Sequence, residues 1–285
     1  MLSYRHAFHA GNHADVLKHF VLKEVLQYAA QKDKPFWYVD THAGAGMYAL
    51  DKGYAQQNAE FKDGVERLWH GHELPAPLVD YVELIRRLNP KGELKLYPGS
   101  PAIARELLRQ DDRMRLFELH TNDSKLLRQE FLVDKPNANK QIVIETQDGF
   151  AGLKALLPPL PKRAVVLIDP PYEDKSDYQR VVAALKDSLE RFAIGTYLIW
   201  YPLLQRPEPK QMLGKLTRLQ PKSWLHVELQ VQKPILGGFG MHGSGLFIIN
   251  PPWTLPKILS EAMPTLVKIL AQNEGADFTL ESHIP

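Results

Sequence analysis

The chain has 285 residues, 44% hydrophobic and 24% charged, and a formal net charge of +2, so disorder is not its default state. The absence of cysteine excludes disulfides, thiolate nucleophiles and cysteine zinc sites. The charge is too small to imply nucleic acid by itself, so any basic surface must be local. No apolar run is long enough to span a membrane and the chain opens without an apolar signal core; a cytoplasmic protein is expected. The opening stretch carries Tyr4, Arg5, His6, His9 and His13. Asn12 is a fair N-cap for a helix over 12–30, with Val16, Leu17, Phe20, Val21 and Leu26 on its buried side. His9 and His13 have the spacing of a helical metal pair, but Gly11 between them and the lack of thiolates argue against zinc, and no metal is expected.

Residues 35–40 read as the first buried strand, followed by a tight loop, Thr41-His-Ala-Gly-Ala-Gly46. Its glycines let the backbone approach a ligand closely. A dinucleotide fingerprint would need an acid about 20 residues further on, whereas the next strand-ending acid is Glu118. Asp40-Thr-His-Ala-Gly-Ala-Gly46 instead resembles an S-adenosylmethionine-binding loop. Residues 47–94 interrupt the strand–helix rhythm, with helices expected over 59–70 and 76–89 punctuated by Pro75, Pro77 and Pro90. They read as a helical insertion between core segments 1–46 and 95–285. Ser100 followed by Pro101 marks a helix start, with Ser100 as its N-cap, and such a terminus attracts carboxylates. A strand over 114–123 places Glu118 to accept ribose hydroxyls. A further strand from Ile142 ends in Asp148-Gly149, where Asp148 is placed to accept from an adenine amine. Either acid alone also suits a turn.

The strongest signal is Val165-Val-Leu-Ile-Asp169-Pro-Pro-Tyr172. Four aliphatic residues without a break read as a strand buried on both faces. The prolines end it, because each lacks an N–H and has φ fixed. Asp169 and the Pro170 carbonyl are two rigid acceptors suited to one –NH2 group, and Tyr172 offers a ring for a planar base. The tetrapeptide resembles the signature of amino-methyltransferases that use S-adenosylmethionine. A helix over 178–192 and a strand over 196–202 follow. Residues 201–235 hold Arg206, Lys210, Lys215, Arg218, Lys222 and Lys233 against Glu208 and Glu228, a candidate phosphate-binding face that a solvated helix would also explain. Gly237-Gly-Phe-Gly240 reads as a flexible hairpin or lid between two last strands. Asn250-Pro-Pro-Trp253 fits the same signature, but too little chain follows it for the strands that succeed a catalytic one. Chemistry is therefore assigned to Asp169, and Asn250 to a turn.

From end to end the chain resembles the RlmJ family of bacterial 23S ribosomal RNA adenine-N6 methyltransferases. The stretches carrying the resemblance are Tyr4 to His19, Asp40 to Gly46, Tyr97-Pro-Gly-Ser-Pro101, Asp169 to Tyr172 and Asn250 to Trp253. It implies an α/β, Rossmann-like methyltransferase fold with a mixed, mostly parallel seven-stranded sheet and a small helical insertion. It implies S-adenosylmethionine as cofactor, S-adenosylhomocysteine as product, and methylation of a single adenine, position 2030, in free or partly assembled 23S rRNA. By matching positions, Lys18, His19, His42, Gly44, Ser100, Glu118, Asp148, Gly149 and Asp169 line the cofactor site. Asp169, Pro170 and Tyr172 are catalytic, and Tyr4 meets the RNA. A monomer without obligate protein partner is expected. The competing readings are a DNA adenine-N6 methyltransferase, protein glutamine methylation, and a nucleic-acid-binding protein with a relict cofactor pocket.

Overall fold

The computed structural model describes residues 5–133, 138–234 and 240–285. Among these, the strands are β1 (Trp37–Asp40), β2 (Met47–Ala49), β3 (Leu96–Pro98), β4 (Arg113–Phe117), β5 (Ile142–Glu145), β6 (Ala164–Ile168), β7 (Thr196–Leu203), β8 (Trp224–Gln230), β9 (Gly243–Ile249) and β10 (Asp277–His283). The helices are α1 (His13–Ala30), α2 (Gly53–Asn58), α3 (Val65–Trp69), α4 (Ala76–Arg87), α5 (Ser100–Leu107), α6 (Thr121–Leu132), α7 (Ala138–Gln141), α8 (Gly149–Leu156), α9 (Ser176–Arg191), α10 (Pro207–Thr217) and α11 (Leu255–Leu270).

The main sheet has eight strands in the order β10-β8-β9-β7-β6-β1-β4-β5. β5, β4, β1, β6 and β7 run parallel, while β9 is antiparallel to both β7 and β8. Every residue of β6 is buried, as an unbroken aliphatic run requires when helices cover both faces. Val165 and Leu167 join the core cluster shared with α1 and α11, whereas Val166 and Ile168 join the one shared with α8, α9 and α10. That alternation is the two-residue period of a strand. The chain passes from β1 outward to β4 and β5, then returns to β6 on the other side of β1. The reversal opens a crevice at the carboxyl ends of β1, β4 and β6, where open α/β sheets bind ligands.

The sheet has one strand more than expected. β10 pairs antiparallel with β8 at the edge, and its Phe278 and Leu280 pack on the core while most of its other side chains face solvent. The helix expected over 59–70 is also broken. A 3-10 turn at Glu60–Asp63 and the short α3 replace it. Gly64 between them lies against the start of α1, where a Cβ would sit 2.0 Å from the Gly11 carbonyl oxygen, and Val65 N donates to that oxygen at 2.8 Å. β2 and β3 pair antiparallel and bracket this helical segment. Its Leu68, Trp69, Leu78 and Tyr81 share a core cluster with α1 and α11. The expected strand over 114–123 ends at Phe117, and α6 takes over from Thr121.

Candidate active site at the carboxyl edge of the sheet

Asn12 caps α1 as expected, accepting at its side chain from Ala14 N and Asp15 N. The helix then presents Asp15, Lys18 and His19, at i, i+3 and i+4, on one face. Lys18 Nζ donates to Asp169 Oδ2 at 2.6 Å and lies 2.9 Å from Asp15 Oδ1. His6 Nε2 lies 2.9 Å from Asp15 Oδ2. Burial pushes the Asp169 carboxyl up to about 6 against the pull of the Lys18 charge. Burial opposes the Lys18 cation too, but Asp15 and Asp169 together outweigh it and hold the ammonium charged. Only Oδ2 of Asp169 is taken by Lys18, so Oδ1 stays open toward a ligand.

Two cavities meet at Asp169. The first, about 340 Å³, contains every residue expected at the cofactor site: Lys18, His19, His42, Gly44, Ser100, Glu118, Asp148, Gly149 and Asp169, with Pro170 beside them. The second, about 240 Å³, is lined by His9, Asn12, Tyr172, Trp200, Pro202 and Arg206 among others. His6, Lys18, Asp169, Pro171 and Glu173 line both.

The first cavity is cradled by backbone. Gly44 has φ +60, and a Cβ there would fall 2.3 Å from the Tyr48 hydroxyl. Gly44 N donates to Glu118 Oε2 and His120 N to Oε1, both at 2.7 Å. Glu118 thus ties the glycine loop to the end of β4 while keeping lone pairs for a ligand. Burial raises its carboxyl to about 7 in spite of those two bonds. Burial also lowers His42 to about 4 and His19 to about 3, so both imidazoles are neutral at pH 7. His19 Nδ1 lies 2.8 Å from the Tyr97 hydroxyl, and His42 meets the Phe150 ring edge-on. Leu119, 50% exposed, adds an apolar wall beside Glu118. Carboxylate acceptors, neutral rings, an open aliphatic face and the amino terminus of α5 suit a nucleoside carrying an amino-acid tail, and the set therefore fits S-adenosylmethionine.

A family model described as ribosomal RNA large subunit methyltransferase D, RlmJ, matches residues 33–281. The chain belongs to the RlmJ family. The ribosomal RNA large subunit methyltransferase J of Escherichia coli K12 is 46% identical over 266 residues, 93% of each chain. The protein of the same name from Haemophilus influenzae is 45% identical over 282 residues, covering 99% of this chain and 98% of its own. A crystal structure of a Legionella pneumophila protein superposes with a TM-score of 0.86 at 37% identity, covering 96% of this chain and 98% of that one.

Within this RlmJ-family site several residues take roles other than those expected. Ser100 is not the cap: α5 is capped at Gly99, and Ser100 Oγ donates to Asp40 Oδ2 at 2.6 Å, buttressing the end of β1. Asp148 caps α8, accepting from Phe150 N and Ala151 N, while its other oxygen is paired with Arg180. Tyr172 is the largest difference. Its ring is 2% exposed, packed between Tyr178 and Trp200, and its hydroxyl donates to the Trp200 carbonyl at 2.7 Å. With φ +54 the backbone turns the ring back into the core, so it forms the floor of the second cavity rather than an open stacking face. Tyr4 and residues 237–239 of the expected lid lie outside the described residues. His9 is paired with Glu60, and His13 is buried with its pKa lowered to about 4.

The sequence reading missed Asp15, Arg180 and Trp200. The i, i+3, i+4 run Asp15, Lys18, His19 was a usable signal for the first. Arg180 and Trp200 reach the site only through the packing of α9 and β7. Asn250 lies elsewhere: its Nδ2 donates to the carbonyls of Ala193 and Gly195, at the amino-terminal edge of the parallel strands.

Proposed function

We propose that the protein methylates N6 of one adenine, position 2030 by family resemblance, in free or partly assembled 23S rRNA. The observation that carries this reading is the shared wall: Asp169 and Lys18 border both cavities, so one carboxylate faces a cofactor on one side and a base on the other. S-adenosylmethionine, when bound in the first cavity, supplies an electrophilic methyl group on a sulfonium sulfur. The chain's own residues do the rest. The adenine must leave its stack to reach the second cavity, at a cost of a few kcal/mol that is smaller for an unpaired base. Asp169 Oδ1 and the Pro170 carbonyl accept the two N–H bonds of the amine and fix its direction of attack. Lys18 holds Oδ2, so the carboxylate cannot rotate away. Asp169 would take the amine proton as the methyl group is transferred, and its pKa near 6 suits proton acceptance at neutral pH. Holding both reactants in line is the main source of rate.

The reading takes the protein as a monomer of the cytoplasm, with 47–94 as a subdomain inserted in a core of 1–46 and 95–285. No helix among the described residues is long and apolar enough to cross a membrane. The test is transfer of labelled methyl to protein-free 23S rRNA and, side by side, to duplex DNA, followed by mass-spectrometric mapping of the product. N6-methyladenine in the RNA, lost in Asp169→Ala, is expected. Preferential labelling of DNA would replace the substrate, and undiminished turnover by Asp169→Ala would remove the mechanism.

A further inference from the structure

The second cavity takes a base only if the attached phosphates find a seat at its rim. The acids and cations deep in the cavity are already matched: Lys18 with Asp15 and Asp169, His6 with Asp15, His9 with Glu60. Arg206 is different. It lines the cavity, is exposed, and makes no ion pair within 4 Å among the described residues, although Glu208 lies close enough to feel its charge. It is also the residue from which α10 starts.

α10 is held to the sheet by Pro209, Met212 and Leu216, all buried. At 100° per residue Arg206, Lys210, Gly214 and Arg218, each four positions from the last and each exposed, form a row that starts beside the buried stripe at Arg206 and winds about 120° round to the solvent side at Arg218. No acid shares that row. Glu208 sits to one side, where Lys175 Nζ neutralises it at 2.7 Å. Lys210 and Arg218 also lack an ion-pair partner among the described residues. At Gly214 an added Cβ would meet nothing within 4 Å, so the row has no side chain standing in its middle. Pro207 and Pro209 remove two N–H groups from the first turn, so side chains and not the helix terminus carry the attraction for anions. From Arg206 to Arg218 the row extends about 18 Å. A merely solvated helix face mixes charges of both signs; this one is of a single sign and begins at a cavity mouth.

We propose that Arg206, Lys210 and Arg218 form a phosphate track, which leads the RNA backbone flanking the target adenosine away from the second cavity along α10. The proposal rests on reading that cavity as the base site. Arg206 seats the nearest phosphate, for which a guanidinium fork is well shaped. Lys210 and Arg218 take phosphates further along, and because such contacts read no bases, the track sets position rather than sequence.

The test is binding of protein-free 23S rRNA fragments across a salt series, using wild type, the triple variant Arg206→Gln/Lys210→Gln/Arg218→Gln, and Lys268→Gln. Lys268 is an exposed cation on α11, across the sheet from α10. The triple variant should lose affinity for RNA at least about tenfold, with a log–log salt slope shallower by about 2 for three lost contacts on a single strand. Its affinity for S-adenosylmethionine should stay at the wild-type value, which also reports that it is folded. Lys268→Gln should bind RNA like wild type. An unchanged slope and affinity in the triple variant overturns the track, and so does an equal loss in Lys268→Gln. Asp169→Ala separates the two readings. If that variant keeps methylating while the triple variant loses RNA, the role given to Asp169 is wrong and the phosphate contacts along α10 stand. If Asp169→Ala is dead and the triple variant binds RNA normally, only the track falls.

Discussion

Two tetrapeptides of nearly the same composition end two strands of one sheet. Asp169-Pro-Pro-Tyr172 follows β6, and Asn250-Pro-Pro-Trp253 follows β9, with β7 lying between the two strands. β6 is parallel to β7, so its end reaches the crevice and puts Asp169 between two cavities. β9 is antiparallel, with Ile249 opposite Tyr197, so its end emerges at the opposite edge. There the Asn250 amide closes a turn against Ala193 and Gly195 instead of facing a ligand. The aromatic residues are sorted in the same way. Tyr172 is sunk in the core, and Trp253 is 71% exposed. A reactive motif therefore depends on strand direction as much as on its residues: the same turn chemistry either opens on a cleft or stitches the far edge.

The comparison can be broken most sharply at Lys18, which has no counterpart bonded to Asn250 among the described residues. Lys18→Met leaves Asp15 and Asp169 facing each other without their cation, and the folded state should lose about 3 kcal/mol or more in denaturant unfolding. A variant as stable as wild type would show that the ion pair does not hold the site together. The next effect is on pH. Asp169 must be a carboxylate to accept from the amine, and its pKa is raised to about 6 by burial. Protonation as pH falls removes the acceptor, so transfer should drop about tenfold per pH unit below 6 and level off above it. The limb should vanish from the residual activity of Asp169→Asn, which keeps an acceptor oxygen but no proton to gain. Persistence of the limb would assign it to another group. Asn250→Ala should cost about 1–2 kcal/mol of stability through two lost hydrogen bonds at a left-handed position, and leave methyl transfer at the wild-type rate. Loss of transfer in a folded Asn250→Ala protein would reverse the assignment of the two motifs. The smallest effect belongs to Trp253→Ala, expected within about 0.5 kcal/mol because the ring is mostly in water.

The fold was readable where one element decided its own fate. The aliphatic run of β6 announced a strand buried on both sides, Asn12 announced the start of α1, and the two prolines announced the end of the catalytic strand. Gly44, Ser100, Glu118, Asp148 and Gly149 around the first cavity were readable because each stands just past a strand end or at a helix start, and in an α/β sheet those positions converge, whereas Lys18, His19 and His42 were expected there through the family resemblance. What could not be read was the direction of individual side chains. Tyr172 was expected to face a base, but its left-handed backbone turns the ring inward. Ser100 was expected to cap a helix, but it supports Asp40. Glu118 was expected to await a ligand, and it first ties down the Gly44 loop. β10 was missed because its two packed residues are too few to mark a strand apart from its neighbours.

By itself the amino-acid order determined the local events: which stretches could be strands, where helices begin, and which acids end β-elements. It also placed Asp15, Lys18 and His19 on one side of α1, since helical spacing is a property of sequence. Tertiary structure alone decided that this side meets Asp169, which is 151 positions from Lys18 along the chain. It decided too which of two proline turns borders a cleft, and that Arg206 stands at the mouth of one. These are long-range outcomes, because strand direction, burial and the pKa of a carboxyl are fixed by neighbours that only the folded chain brings together.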